Sequence, residues 1–211
     1  MRTVGIFGTS GFAREVADIV DALGDRVVFV ARDQAELDAW AFAGEVMLED
    51  DVGHDPDMEF SIGIGDNVVR EKVARRFADR LRFATLIHPS ASFGRGQRQT
   101  IEASQGVIVC AGVRFTNNIR VGDFAIFNPN VTIGHDVIVD DFVHVAPGVC
   151  ISGNVHLRTR CWIGTGAAVN QGTNVTRLSV GADTVVGSGA VVVKDCDEGA
   201  VYVGVPARRL R

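Results

Sequence analysis

Nowhere does this 211-residue chain hold an apolar run near the ~18 residues that a membrane-crossing helix needs. Its first residues, MRTVGIFGTSGF, carry too short an apolar stretch for a secretory leader. The cytoplasm is the expected compartment. Positive charge is not in excess, with 21 Lys and Arg against 26 Asp and Glu and a net charge of −5. That balance gives no electrostatic reason to expect a nucleic acid as partner. CxxC pairs are absent. Cys110, Cys150, Cys161 and Cys196 stand far apart in the sequence, and reduced thiols are expected rather than disulfides or a metal centre. Tyrosine occurs once and aromatic residues reach only 7%. What the chain has in quantity is valine and glycine, a composition suited to short stacked strands with many tight corners.

The pattern changes abruptly after residue 88. Before it, strand and helix signals alternate. A short apolar run over residues 3–7 ends at Gly8-Thr9-Ser10-Gly11, and Ala13, Val16, Ile19, Val20 and Leu23 then recur at helical spacing. Residues 26–31 and 59–64 read as further strands. Asp66 is placed to cap a helix running to about residue 79, and residues 82–87 read as the strand that closes the unit. This alternation predicts a small parallel, Rossmann-like α/β sheet over residues 1–88.

Beyond His88-Pro89-Ser90-Ala91, every sixth residue from Val109 is apolar: Phe115, Val121, Phe127, Ile133, Val139, Val145, Ile151, Leu157, Ile163, Val169 and Val175. The row two places earlier, from Val107 and Val113 through Val131, Val137, Val143 and Val149 to Thr173, is small or β-branched almost throughout. A helix repeats at 3.6 and a flat strand at 2, so neither produces six. A coil with three flat sides of six residues does, and its circuits lie one strand spacing apart, ~4.8 Å. The row slips by five after Val175 and resumes at Val180, Val186 and Val192, which predicts an extra loop near residues 172–177. Residues 89–211 are therefore expected to form a parallel β-helix.

The units Ile163-Gly164-Thr165-Gly166-Ala167, Val180-Gly181-Ala182 and Val186-Gly187-Ser188-Gly189-Ala190, followed by Gly204-Val205-Pro206-Ala207, resemble those of the hexapeptide-repeat acyltransferases. The order of Gly8-Thr9-Ser10-Gly11, Gly65-Asp66-Asn67, His135-Asp136 and His144 is similar to one branch of them. In that branch a small nucleotide-sugar-binding domain precedes a left-handed β-helix. It includes the N-acetyltransferases of UDP-bacillosamine precursors and GDP-perosamine, and proteins labelled sialic acid O-acetyltransferases. The resemblance implies the left hand of the coil, a homotrimer, and acetyl-CoA in clefts between neighbouring β-helices.

His135 lies two positions past the inward Ile133, at or near a corner and pointing outward, where stacking asks for no histidine. It is either a plain corner residue or a working one. The resemblance implies that it is the general base, with Asp136 orienting the ring and stabilising the cation formed on proton transfer. The thioester oxygen needs a donor, and the resemblance points to the Gly153 N–H. Thr165 and Ser188 join it as implied coenzyme contacts. His144 comes nine residues after His135, half a circuit away, so the two rings face opposite sides of one prism. It reads either as an acetyl-CoA contact reaching a neighbouring chain or as a corner histidine bonded to a backbone carbonyl.

Gly8-Thr9-Ser10-Gly11 between strand and helix is similar to a phosphate-binding turn without the full GxGxxG. On the family pattern Ser10, Gly11 and Phe12, then Arg32 and Asp33 after the second strand, then Gly65 and Asn67 with Arg70, and Asn128, would hold the nucleotide sugar. Phe12 stands where many members carry histidine, and Arg32 where a relative has an acid. The basic end, Arg208-Arg209-Leu210-Arg211, is either a contact for the 3′-phosphate of CoA or a solvated tail. A zinc site like that of the β-helical carbonic anhydrases needs histidines five apart with a third upstream, whereas His135, His144 and His156 are spaced by nine and twelve. No metal is expected. The expected reaction is direct transfer of acetyl from acetyl-CoA to the 4-amino group of a nucleotide-linked amino-dideoxy sugar. Sugar O-acetylation is the nearest alternative, ahead of a non-catalytic nucleotide-sugar-binding protein or a metal hydratase.

Overall fold

The computed structural model describes residues 1–210; Arg211 lies outside the described residues. The first strands, β1 (Thr3–Phe7), β2 (Arg26–Ala31), β3 (Glu45–Leu48) and β4 (Glu59–Ile62), form a fully parallel sheet in the order β3-β2-β1-β4. Helix α1 (Gly11–Ala22) buries Ala13, Val16, Ala17, Ile19 and Val20, matching the spacing that announces it. A short α2 (Gln34–Asp38) follows β2, and α3 (Asn67–Phe77) starts where expected, with the Asp66 carboxylate accepting from the Val69 N–H at 2.8 Å.

The segment expected as one closing strand is divided between two structures. Phe83 bridges Phe60 beside β4, whereas β5 (Leu86–Ile87) pairs with Ile108–Val109 as the first rung of the β-helix. Leu86 and Ile87 are both buried, so the run is apolar for two different cores. A further helix, α4 (Gln97–Glu102), follows the first circuit; its Gln97 side chain bonds Ile119 N–H and C=O and covers the end of the prism.

From there the chain winds through three parallel sheets. Ile126 pairs with His144 eighteen residues on, Thr132 with Cys150, and Ile138 with His156. Both sixfold rows point inward and are buried from Val107 to Val169. Val175 is the exception. It is 92% exposed, because the register slip falls earlier than the apolar row suggests. Val155 pairs with Leu178, twenty-three residues on, so residues 171–177 stand outside the stack. The basic end is no loose tail: Arg208–Arg209 pairs antiparallel with Val201–Val203.

A third sixfold row sets the corners. Gly106, Gly112, Asn118, Phe124, Asn130, Asp136, Phe142, Gly148, Asn154, Arg160 and Gly166 all have φ between 55° and 72°. Glycine and asparagine tolerate this left-handed backbone, but phenylalanine adopts it at a cost of about 1 kcal/mol or more. Phe124 and Phe142 lie on one corner, eighteen residues apart. Their rings stack at 5.2 Å and pack with Phe7, Phe60, Phe77 and Phe83 of the α/β layer. Arg70 completes this joint. Fully buried, it donates to Phe124 C=O (3.0 Å), Phe142 C=O (2.8 Å), Ile64 C=O (3.1 Å), Gly65 C=O (3.0 Å) and Asn67 Oδ1 (2.7 Å). Every N–H of the guanidinium thus has an acceptor. Burial pulls the Arg70 pKa down to about 9, opposed by Asp66, and the group stays charged at neutral pH.

Candidate active site

The left-handed turn at Asp136 (φ 60°) brings its side chain back against the residue before it. His135 Nδ1 lies 2.7 Å from Asp136 Oδ2, and Asn118 Nδ2, from the same corner one circuit earlier, donates to Asp136 Oδ1 at 2.6 Å. The hydrogen bond from His135, then that from Asn118, holds the Asp136 carboxyl below the usual carboxylate range. A carboxylate at Nδ1 selects the tautomer with its proton there, leaving the Nε2 lone pair free to accept. The Cε1–Nε2 edge of the ring lies close against Gly153. A Cβ at that position would sit 2.5 Å from both Cε1 and Nε2, so the corner must be glycine for the imidazole to keep its place. The Gly153 N–H has no acceptor among the described residues. The recess beside the ring, about 430 Å³, is walled by the loop of residues 171–177.

On the α/β layer, three segments converge at the strand ends. Gly8, at φ 107°, and Gly63 let α1 approach closely, since a Cβ on Gly63 would lie 2.6 Å from Ala13 Cα. Ser10 and Gly11 stay exposed at the start of α1, with Phe12 half-buried beside them. Arg32 is ion-paired with Asp33 at 2.9 Å, and Asp33 also accepts from the Glu36 N–H at 2.9 Å to cap α2. Glu36, which the sequence reading passes over, bonds the Arg32 N–H (2.7 Å) and the Thr9 hydroxyl, tying the glycine turn to the end of β2. Its signal was the Asp33-x-x-Glu36 spacing of a helix start. Thr165 and Ser188 are exposed on neighbouring circuits, one corner away from His135.

A family model for the PglD N-terminal domain matches residues 3–77. Over its whole length the chain is 27% identical to the GDP-perosamine N-acetyltransferase of Escherichia coli O157:H7, covering 97% of that protein. The crystal structure of PerB from Caulobacter crescentus, in complex with CoA and GDP-perosamine, superposes with a TM-score of 0.84 at 28% identity, over 100% of this chain and 98% of that one. The acetyltransferase domain of PglB from Neisseria gonorrhoeae, in complex with acetyl coenzyme A, gives 0.85 at 27% identity, over 99% of both chains. Over its whole length the chain is similar to nucleotide-sugar acetyltransferases. Its architecture is theirs, a Rossmann-like parallel sheet followed by a left-handed parallel β-helix.

Four residues expected at ligands make their hydrogen bonds within the chain, where the α/β layer covers one face of the prism. His144 makes the backbone-carbonyl bond of its second reading. It is 4% exposed, its Nδ1 bonds Gly65 C=O at 2.9 Å, and Asn128 Nδ2 lies 2.6 Å from its Nε2. Asn128, expected at the sugar, is buried and holds that ring. Asn67, also expected at the sugar, donates to Arg160 C=O (2.7 Å) and Cys161 C=O (3.2 Å) while accepting from Arg70. Arg70, grouped with that segment, directs all five donors to acceptors within the chain. Gly65 takes part through its backbone carbonyl, which bonds His144 and Arg70.

Burial pulls the His144 pKa down to about 4 from 6.5, the Gly65 bond opposing and the Arg70 charge reinforcing. The folded protein keeps this ring neutral, while the unfolded chain takes up a proton below pH ~6.5. Stability is therefore full above that pH and falls as pH drops toward 4, by up to about 3 kcal/mol from this group. Denaturant titrations at pH 7 and pH 5 should show the loss, and a His144→Gln variant should show a shallower pH slope.

Proposed function

We propose that the protein transfers the acetyl group of acetyl-CoA to the 4-amino group of a nucleotide-linked amino-dideoxy sugar, with His135 as general base. The observation that carries this is the chain Asn118–Asp136–His135, which ends in a free Nε2 over Gly153. The amine lone pair attacks the thioester carbon while Nε2 takes the N–H proton. Asp136 stabilises the imidazolium, and the Gly153 N–H is positioned to bond the oxygen as charge collects there. The C–S bond then breaks and the imidazolium returns its proton to the departing thiolate.

Transfer is direct. None of the cysteines lines the His135 recess, and burial pushes the Cys110 thiol up to about 12. The cradle of Ser10, Gly11, Arg32, Asp33 and Gly65 and the His135 corner lie on different sides of one prism, which supports a site closed between chains and hence a homotrimer. Thr165 and Ser188 would line the coenzyme cleft. The likeness to PerB with CoA and GDP-perosamine and to PglB with acetyl coenzyme A supports both substrates.

Release of CoA thiol from acetyl-CoA should be seen with UDP-, GDP- or dTDP-linked 4-amino-4,6-dideoxyhexoses. Release with hydroxyl acceptors such as sialic acid alone, or with no acceptor at all, would overturn the reading.

A further inference from the structure

Residues 171–177 form the single interruption of the circuit between Val107 and Val169 on one side and Val180 and Val192 on the other, and they stand at the His135 corner. The insertion is firmly built. Gly172 N–H donates to Gly153 C=O at 3.1 Å, and a Cβ on Gly172 would meet Asn154 C=O at 2.3 Å. Asn154 Nδ2 bonds the carbonyls of Thr173 and Thr176, and the Thr173 hydroxyl accepts from the Thr176 N–H at 2.9 Å. The loop is thus fixed to the residues that carry the imidazole.

Its last residue, Arg177, uses Nε on the Asp136 C=O at 3.4 Å. Among the described residues its guanidinium has no carboxylate within ion-pair distance. Eight of the other arginines, from Arg2 to Arg209, are ion-paired and Arg70 is buried against carbonyls, whereas among the described residues Arg177 leaves both terminal nitrogens of its fork unpaired beside the base. Arg177, Asn154, Gln171 and Asn174 share the recess with His135 and Asp136, and no apolar side chain lines it. A pantetheine arm finds no apolar partner there. A hydroxylated ligand bearing an anion does, because a planar fork of N–H groups matches carboxylate or phosphoryl oxygens.

We infer that Arg177 is the specificity-determining residue for the acceptor, binding an anionic oxygen of the sugar substrate while His135 receives the proton. This rests on the acetyl-transfer reading above. The anion is either a phosphoryl group of the nucleotide link or a carboxylate on the sugar itself, and the two sources are separable by experiment.

The trimer-competent full chain and its Arg177→Gln and Arg177→Lys variants are assayed with three acceptors: the nucleoside-diphosphate 4-amino-4,6-dideoxyhexose, the methyl glycoside of the same amino sugar, and a carboxylated amino sugar. Arg177→Gln should raise KM for the anionic acceptor about 10- to 100-fold, the size of a lost charge-assisted bond. KM for acetyl-CoA and turnover of the neutral glycoside should stay unchanged, and Arg177→Lys should recover part of the loss. Whichever anionic acceptor shows the effect names the source. Equal losses for anionic and neutral acceptors, or a raised KM for acetyl-CoA, would refute the assignment. If the parent protein acetylates none of the three, the reaction itself is misread. Calorimetric binding of the same ligands then still tests Arg177, which requires weaker binding of an anionic sugar to Arg177→Gln.

Discussion

Replacing His135 by alanine is expected to lower kcat by two to four orders of magnitude, the range over which a positioned base contributes, with affinity for acetyl-CoA nearly intact. The ring is half-exposed and holds up no core, so the variant should melt with the parent protein. Steady-state kinetics with both substrates varied will separate the terms, and unchanged turnover would remove the base assignment. Gly153→Ala offers an independent check on the same geometry. Its methyl would occupy the space of Nε2 and Cε1, so the imidazole must swing away from Asp136. Turnover should fall by a comparable factor although His135 is still present.

The second large effect is on stability. Arg70→Met deletes a cation whose five N–H groups all meet acceptors at the junction of the two layers, leaving the carbonyls of Ile64, Phe124 and Phe142 unpaired, while Gly65 C=O keeps only His144. Breaking a buried charged network from one side costs about 3–5 kcal/mol. At about 2–4 °C per kcal/mol for a chain of this size, melting should fall by roughly 10 °C. Arg70→Lys keeps the charge but cannot reach five acceptors in one plane, so it should recover only part of the loss. A melt within a degree or two of the parent would mean that water replaces the guanidinium at little cost.

The β-helix was legible because its rule is a period. Twelve positions counted by sixes found the interior, and only Val175, apolar by coincidence in an exposed loop, broke the count. The α/β sheet was legible for the opposite reason, since each of its strands is a local apolar run. What the sequence hid was the contact between them. His144, Asn67, Asn128 and Arg70 are polar residues in family-like positions, and the resemblance implied ligands for them. Their actual partners are the carbonyls and amides of segments distant in sequence, such as Asn67 with Arg160, and no local pattern announces such pairs. The corner row was readable in part. Asn118, Asn130 and Asn154 are natural at positive φ, whereas Phe124 and Phe142 are not, and a bulky residue in a corner row marks the edge on which something else must rest.

The direct passage from Phe83 beside β4 to the first rung at Leu86 leaves two residues between the layers and no tether that could bend. With Arg70 and the paired phenylalanines clamping the far side of the joint, the molecule has no elbow. An acceptor cannot be engulfed by one lobe folding over the other. Access to the His135 recess is then set by the side chains at its rim, Gln171, Asn174 and Arg177 among them, rather than by a clam-like closing motion.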